Sequence, residues 1–504
     1  MKTKKSTKLV LGLAVAAFAF NGVHAQSTST PTTGGKLWGY VMADYAYAAK
    51  GDSAGRGNGI LYKGVANQLP GSGGQSSSFK GQTNAYSGQN AFDIRRAYLG
   101  YDYVINEKFS ATTLLAYEGD QDVNGNKTVF LKNAYFTWKN IFPGSNLTVG
   151  QQPTCSFATP YQTEPLYGYR SMDKTIMDMR KVDGSTDMAI GLAGKIWQAK
   201  ADSGKMGTLI GYAIQVGNNS GNSPIPGFDP ATTSLSGATI TSTSTSTTTP
   251  ISIPTISQKT GNDTTITVTP TTTTKTTTTT SYNGLNTTTD KAKKFRFNLY
   301  VNALNGALTV GAYADYINYG QVYYGTATGY ASNIMTVKGY ANYSSKWFGV
   351  GAEYFMQSKA NGEVTWDPNA PLVNNKVVMD TASATQSGWS VWARGTVMPD
   401  MLNIFARVDM YNPDTKYSSS KFTSSSLVSA NNYTEMFLSA GLDWTPTKDK
   451  KVHIEPNIWY DAISYQGVPV LPSGSKTWAS DAGSGQLKAA NYMIARLTFY
   501  YIFK

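Results

Sequence analysis

Phe295-Arg296-Phe297-Asn298-Leu299-Tyr300-Val301-Asn302-Ala303 alternates without a break, odd positions apolar and even positions polar or Tyr. A period of two is that of a β-strand, whose successive side chains point to opposite faces. Asn305-Gly306 follows, a dipeptide that tolerates the positive φ values of a tight hairpin turn. The chain then returns through Leu308, Val310, Ala312, Ala314 and Tyr316, with Thr309, Gly311, Tyr313 and Asp315 between them. One such hairpin also suits a soluble sandwich, with one face in a core and the other in water.

Repetition separates the two readings. Trp389, Val391, Ala393, Gly395 and Val397 alternate with Ser390, Trp392, Arg394 and Thr396. Beyond Met398-Pro399-Asp400 come Leu402, Ile404, Ala406, Val408 and Met410, set against Asn403, Phe405, Arg407, Asp409 and Tyr411. Each run has the length that a tilted strand needs to cross a bilayer, about 9–11 residues. Working outward, the pattern predicts strands at 36–47, 92–104, 108–118, 128–139, 146–152, 186–197, 207–217 and 294–304. It continues at 307–317, 335–343, 346–358, 388–398, 401–411, 433–444, 450–461 and 490–503. About sixteen strands is an even number in the range of single-chain bacterial barrels. Short links at 105–107, 140–145, 305–306, 344–345, 399–400 and 445–449 fall between long ones at 48–91, 153–185, 218–293, 318–334, 359–387, 412–432 and 462–489. Short turns at one rim and long loops at the other is the arrangement of an outer-membrane barrel, and a soluble domain supplies no reason for it.

Composition agrees. The 504 residues include 33 Tyr, 10 Trp and 49 Gly, with only 15% charged. The mean hydropathy of −0.30 is too polar for a helical membrane protein, whereas a barrel needs apolar residues on one face of each strand only. At the N-terminus, Lys2, Lys4, Lys5 and Lys8 precede an apolar run from Leu9 to Phe20, and Val23-His24-Ala25 has the small-x-small form of a cleavage site. Residues 1–25 are thus expected to be a cleaved export signal, with 26–504 a single barrel. Its removal takes four positive charges from the formal +12, leaving +8.

Three further pieces carry a family resemblance. Phe92-Asp93-Ile94-Arg95-Arg96-Ala97-Tyr98-Leu99-Gly100-Tyr101, Leu131-Lys132-Asn133-Ala134-Tyr135 and Leu147-Thr148-Val149-Gly150-Gln151 occur in this order. The chain in this region resembles the phosphate- and polyphosphate-selective outer-membrane porins, within the general bacterial porin superfamily. That resemblance implies a sixteen-stranded barrel, usually a homotrimer, whose third loop folds inward to narrow the pore. The arginine ladder and lysine-rich constriction on which phosphate selectivity rests have no position-by-position match. The last strand ends on Phe503 before Lys504, a penultimate aromatic where an outer-membrane barrel commonly carries a terminal one as a signal to the barrel assembly machinery.

Alternation assigns Arg96, Lys195, Arg296, Lys338, Arg394, Arg407 and Arg496 to the lumen, with Asp44, Asp102, Glu118, Asp315, Glu353, Asp409, Glu435, Asp443, Glu455 and Asp461. The third loop, 153–185, balances Arg170, Lys174, Arg180 and Lys181 against Glu164, Asp173, Asp178 and Asp183. The cations of both sets are the candidate pore-lining and constriction residues, since charge across a lumen steers ions by its field. The expected partners are small hydrophilic solutes or anions, outer-membrane lipid and lipopolysaccharide. Segment 231–290 is dominated by Thr and Ser and is expected to be a disordered external loop.

Enzyme chemistry finds little support. Cys155 is the single cysteine, so neither an internal disulfide nor a cysteine metal cluster is available. His453 is the one histidine beyond the leader, and no local serine motif accompanies it. The Gly51–Gly59 stretch lacks the Gly-Lys-Ser/Thr ending of a phosphate loop, and no basic cluster interleaved with aromatics suggests nucleic acid. No cofactor or metal is expected. A barrel serving as a surface adhesin or shield, without an open pore, is the alternative to a channel.

Overall fold

The computed structural model describes residues 33–50, 90–118, 128–157, 175–180, 182–199, 208–219, 240–247, 275–282, 292–322, 330–366, 379–417, 433–465 and 490–503. The expected leader, 1–25, lies outside them.

The described residues form eighteen strands. The first half of the barrel comprises β1 (Gly34–Lys50), β2 (Asn90–Val104), β3 (Phe109–Tyr117), β4 (Phe130–Phe142), β5 (Ser145–Pro153), β6 (Thr186–Gln198) and β7 (Leu209–Gly217). A separate pair follows, β8 (Ile240–Thr247) and β9 (Lys275–Tyr282). The barrel resumes with β10 (Lys294–Ala303), β11 (Leu308–Val322), β12 (Tyr330–Ser344), β13 (Phe348–Trp366) and β14 (Met379–Met398). It ends with β15 (Leu402–Asn412), β16 (Tyr433–Trp444), β17 (Val452–Tyr465) and β18 (Ala490–Phe503). Each barrel strand pairs antiparallel with its chain neighbour, β7 pairs with β10, and β1 closes on β18 from Gly39 opposite Phe503 to Lys50 opposite Met493. The result is a closed sixteen-stranded antiparallel barrel, as the alternation predicts. Closure removes the two open edges that a sheet of this size would otherwise expose.

Strand β10 shows why the pattern is so regular. Lys294, Arg296, Asn298, Tyr300 and Asn302 are buried inside, while Phe295, Phe297, Leu299 and Val301 are exposed outside. An apolar exterior around a charged interior is the inverse of a water-soluble barrel and suits a wall set in lipid. Exposed aromatics collect at both ends of that wall. Tyr101, Tyr103, Trp138, Trp347, Phe348 and Trp444 lie toward the short turns, and Tyr47, Phe92, Tyr316, Tyr354 and Trp389 toward the long loops. Such girdles mark the two membrane interfaces. No helix among the described residues is long and apolar enough to cross a membrane.

Register depends on size complementarity at several inner positions. Tyr300 faces Gly211 on one side and Gly311 on the other. A Cβ at Gly211 would lie 2.3 Å from Tyr300 Cζ, and one at Gly311 would lie 2.3 Å from Tyr340 Cζ. Each ring covers a bare backbone where only glycine leaves room.

Two departures from expectation stand out. β13 and β14 run on to Trp366 and back from Met379, past the 346–358 and 388–398 read from sequence. Their extension interrupts its register between Lys359 and Glu363, which conceals the alternation. Within 231–290, β8 and β9 pair antiparallel from Ile240 opposite Tyr282 to Thr247 opposite Lys275, where disorder was expected. Threonine is β-branched and favours extended backbone, which a composition argument overlooks. The rest of that segment lies outside the described residues.

Candidate functional site

The third loop, between β5 and β6, is described at 154–157, 175–180 and 182–185, and these parts dock on the inner wall. Asp183 is the anchor. Arg296 from β10 meets it with two parallel bonds, Nε to Oδ2 at 2.8 Å and Nη2 to Oδ1 at 2.9 Å. Arg296 Nη1 also donates to Asp187 Oδ2 at 2.7 Å, and Lys294 Nζ donates to Asp183 Oδ1 at 2.9 Å. The Tyr313 hydroxyl lies 3.0 Å from Asp183 Oδ2 and 2.7 Å from Asp315 Oδ2. Burial acts to raise the Asp183 carboxyl, but Arg296 and Lys294 outweigh it and hold the group well below the usual carboxylate range.

Backbone bonds supplement that anchor. Asn298 Nδ2 donates to the Cys155 carbonyl at 2.7 Å and receives the Tyr340 hydroxyl on Oδ1 at 2.8 Å. Lys338 Nζ donates to the Ser156 carbonyl and lies 3.6 Å from Glu353 Oε2. Gln357 Nε2 donates to the Val182 carbonyl at 3.0 Å. Beneath these bonds Cys155, Phe157, Ile176, Met177 and Val182 pack on Ala213, Tyr313, Phe355 and Tyr411 of the wall. Burial of the loop's apolar side chains gives a cohesion that ion pairs alone would not. A single helical turn, α1 (Ile176–Met179), is capped by Thr175 and leads to Arg180. Arg180 pairs with Glu435 from β16 and lies over the Tyr411 ring at 4.6 Å.

The sequence-derived candidates therefore divide. Arg296, Lys338 and Arg180 hold the loop to the wall, and Arg407 joins them through Met179 Sδ at 3.2 Å while bonding Asp409 at 2.9 and 2.6 Å. Arg496 lies on the opposite part of the wall, 3.1 Å from Asp44 and stacked 3.9 Å from the Trp459 ring centroid. Arg96 is buried on the inner face. Arg394 is half-buried near a short turn, donating to the Ser344 hydroxyl. Lys195 pairs with the inward-facing Gly211, so it keeps the expected face, but it lies at the short-turn rim, where it is exposed and donates to Gln198 at 3.0 Å. Arg170, Lys174 and Lys181 lie outside the described residues.

Arg95 is an inner cation that strict alternation misses. Met42 pairs with Arg96 and Ala43 with Ile94, so Arg95 is the extra residue of a bulge. A bulge places two successive side chains toward one face. Arg95 is accordingly buried, 2.9 Å from Asp44 Oδ2, with its guanidinium 5.3 Å from the Trp459 centroid. The signal was present in the Arg95-Arg96 pair, but an alternation rule can send only one of two neighbours inward. Lys294 shares the inward parity of Arg296 but stands just before the alternating run that begins at Phe295.

Beside the β16–β17 turn, His453 Nδ1 lies 2.8 Å from Asp443 Oδ1 and 3.5 Å from Thr445 Oγ1. Among the described residues, the hydrogen bonds of His453 reach one hydroxyl, that of Thr445, and no serine.

No protein-family model matches the chain. No curated protein matches it. Among solved structures it is similar to the outer membrane channel DcaP of Acinetobacter baumannii, at 11% identity over 95% of this chain and 100% of that one, with a TM-score of 0.48. It is similar to an anion-selective porin from Comamonas acidovorans at 10% identity over 94% and 100%, with a TM-score of 0.45. OprB of Pseudomonas putida aligns at 9% identity over 93% and 94%, with a TM-score of 0.44. The fold assignment rests on this chain's own strand pairing.

Proposed function

We propose that the protein is an outer-membrane channel for passive diffusion of small hydrophilic solutes, exported by cleavage after Ala25 and working as a homotrimer. One observation carries the reading: a closed sixteen-stranded wall, apolar outside and carrying charges of both signs inside, with the described parts of its third loop docked on the inner wall. Sixteen strands enclose more width than side chains fill, which in general leaves an aqueous path. A modest anion preference, in which phosphate is included, is the finer proposal, supported by the +8 mature charge and by Arg95, Arg96 and Arg496 on the inner wall. The barrel assembly machinery and lipopolysaccharide are the proposed partners in the membrane.

A second reading has its own support. Inward-facing side chains of the wall are almost fully enclosed, with Arg296, Arg407, Glu435 and Glu455 each 1% exposed. Such burial favours a filled lumen, and with it the surface adhesin or shield that does not conduct.

Planar-bilayer recording of purified, refolded protein in a KCl gradient separates the two. Steps in multiples of three, with reversal favouring Cl⁻, support the trimeric channel, and block by added phosphate supports the phosphate preference. Absence of conductance from verified folded barrel sinks the channel and leaves the second reading.

A further inference from the structure

On the inner face, at the end of the β16–β17 hairpin, Gly441 pairs with Asn457 and Trp444 with Ile454. That register sets Asp443 opposite Glu455 and Thr445 opposite His453. Two carboxylates facing each other across a strand pair repel, and here both are enclosed, 2% and 1% exposed. Enclosure makes a positive charge beside them worth more than it would be in water.

His453 supplies the third group. Its Nε2 lies 3.1 Å from the Lys450 carbonyl oxygen, which can only accept, so Nε2 carries the hydrogen. In a neutral ring that leaves the Nδ1 lone pair facing the Asp443 carboxylate at 2.8 Å, two acceptors in contact. Something positive must lie between them. A proton answers for that one contact, whereas ligand atoms of Asp443, His453 and Glu455 all lie within 4.8 Å of one another. An imidazole held by a backbone carbonyl through its second nitrogen is the usual outer support of a metal-ligating histidine.

We propose that Asp443, His453 and Glu455 form a binding site for a divalent transition-metal cation of the Zn²⁺ type, at the short-turn mouth of the lumen. One imidazole nitrogen with two carboxylate oxygens suits such a borderline cation better than Ca²⁺ or Mg²⁺, which take oxygen ligands. Three protein ligands leave a fourth position for water, and the His453 side chain is 18% exposed, which gives the ion a way in. The site departs from the expectation that the chain holds no metal. It also ties two adjacent strands across their turn, whether or not the barrel conducts.

The test is calorimetric titration of Zn²⁺ into the refolded, untagged barrel after treatment with EDTA and desalting. One ion per chain is expected, with uptake abolished in His453→Ala and weakened at least tenfold in Asp443→Asn and Glu455→Gln. Heat-modifiable migration on gels reports that each variant is folded. Should a variant fail that check, the native chain still decides the matter, because Zn²⁺ must shield His453 from diethylpyrocarbonate, as located by mass spectrometry. No saturable uptake, no protection of His453, or unchanged uptake in folded His453→Ala overturns the proposal in favour of a proton shared between His453 and Asp443.

Discussion

Arg296 and Asp183 stand 113 residues apart in sequence and meet on the inner wall in a two-point ion pair, at 2.8 and 2.9 Å. Both side chains are fully enclosed. The contact joins the third loop to β10 deep in the wall. A buried pair of this kind adds little stability over an apolar pair of similar volume, but breaking it by removing one partner is costly. Its chief effect is on position, because the loop must arrive where the guanidinium fork points.

Asp183→Asn should therefore release the loop while leaving the barrel closed. Loss of one partner of a buried pair costs about 3–5 kcal/mol. Limited proteolysis should cut within 153–185 faster than in the native protein, while heat-modifiable migration is retained. If Asp183→Asn is as resistant as the native chain, the pair does not hold the loop.

Docking should be insensitive to moderate acid. Arg296 and Lys294 outweigh the effect of burial and hold the Asp183 carboxyl below its unfolded value. A group depressed in this way stabilises the docked state at every pH above the unfolded value, near 3.9 for Asp. That contribution is lost only as pH falls through the lower, folded value. Proteolysis patterns at pH 7 and pH 5 should coincide, and loop release with a midpoint between them would mean that another group governs docking.

Cys155 offers an independent reporter. Burial first of all pushes its thiol up to about 12. At pH 8 the thiolate fraction is then on the order of 10⁻⁴. The folded barrel should resist maleimide labelling for hours, the denatured chain should label fully, and Asp183→Asn should label faster than native. Rapid labelling of the folded native protein would contradict the packing of 154–157 on the wall.

Leu299→Arg tests which face meets lipid. Leu299 lies near the middle of β10 on its exposed side. An arginine on a lipid-facing position near the bilayer midplane costs about 2–4 kcal/mol, against little on the luminal face. Refolding into lipid vesicles should show that loss in urea titration, and an unaffected midpoint would place Leu299 elsewhere.

The two levels of structure were unequally legible. All sixteen barrel strands could be read from alternation, because a wall between lipid and a polar interior imposes a period of two on every strand. Even the inward facing of Arg296, Lys338, Arg407 and Arg496 followed from parity. Parity failed where the backbone inserts an extra residue, as at Arg95. What the inward-facing charges do was hidden for a different reason. Arg296 reads as a pore-lining cation in its own strand, and only the arrival of Asp183 from another part of the chain makes it an anchor. His453 likewise stood alone in the sequence until β16 brought Asp443 beside it.

Sequence alone thus determined the barrel, its strand number and the side of the wall on which each regular position falls, since these follow from local periodicity and turn chemistry. Tertiary structure decided where the third loop is anchored, which cations are spent on ion pairs, and which donor atoms converge near the short turns. Those outcomes depend on contacts between residues far apart in the chain, and local alternation carries no information about which distant side chain will fill a given place on the wall.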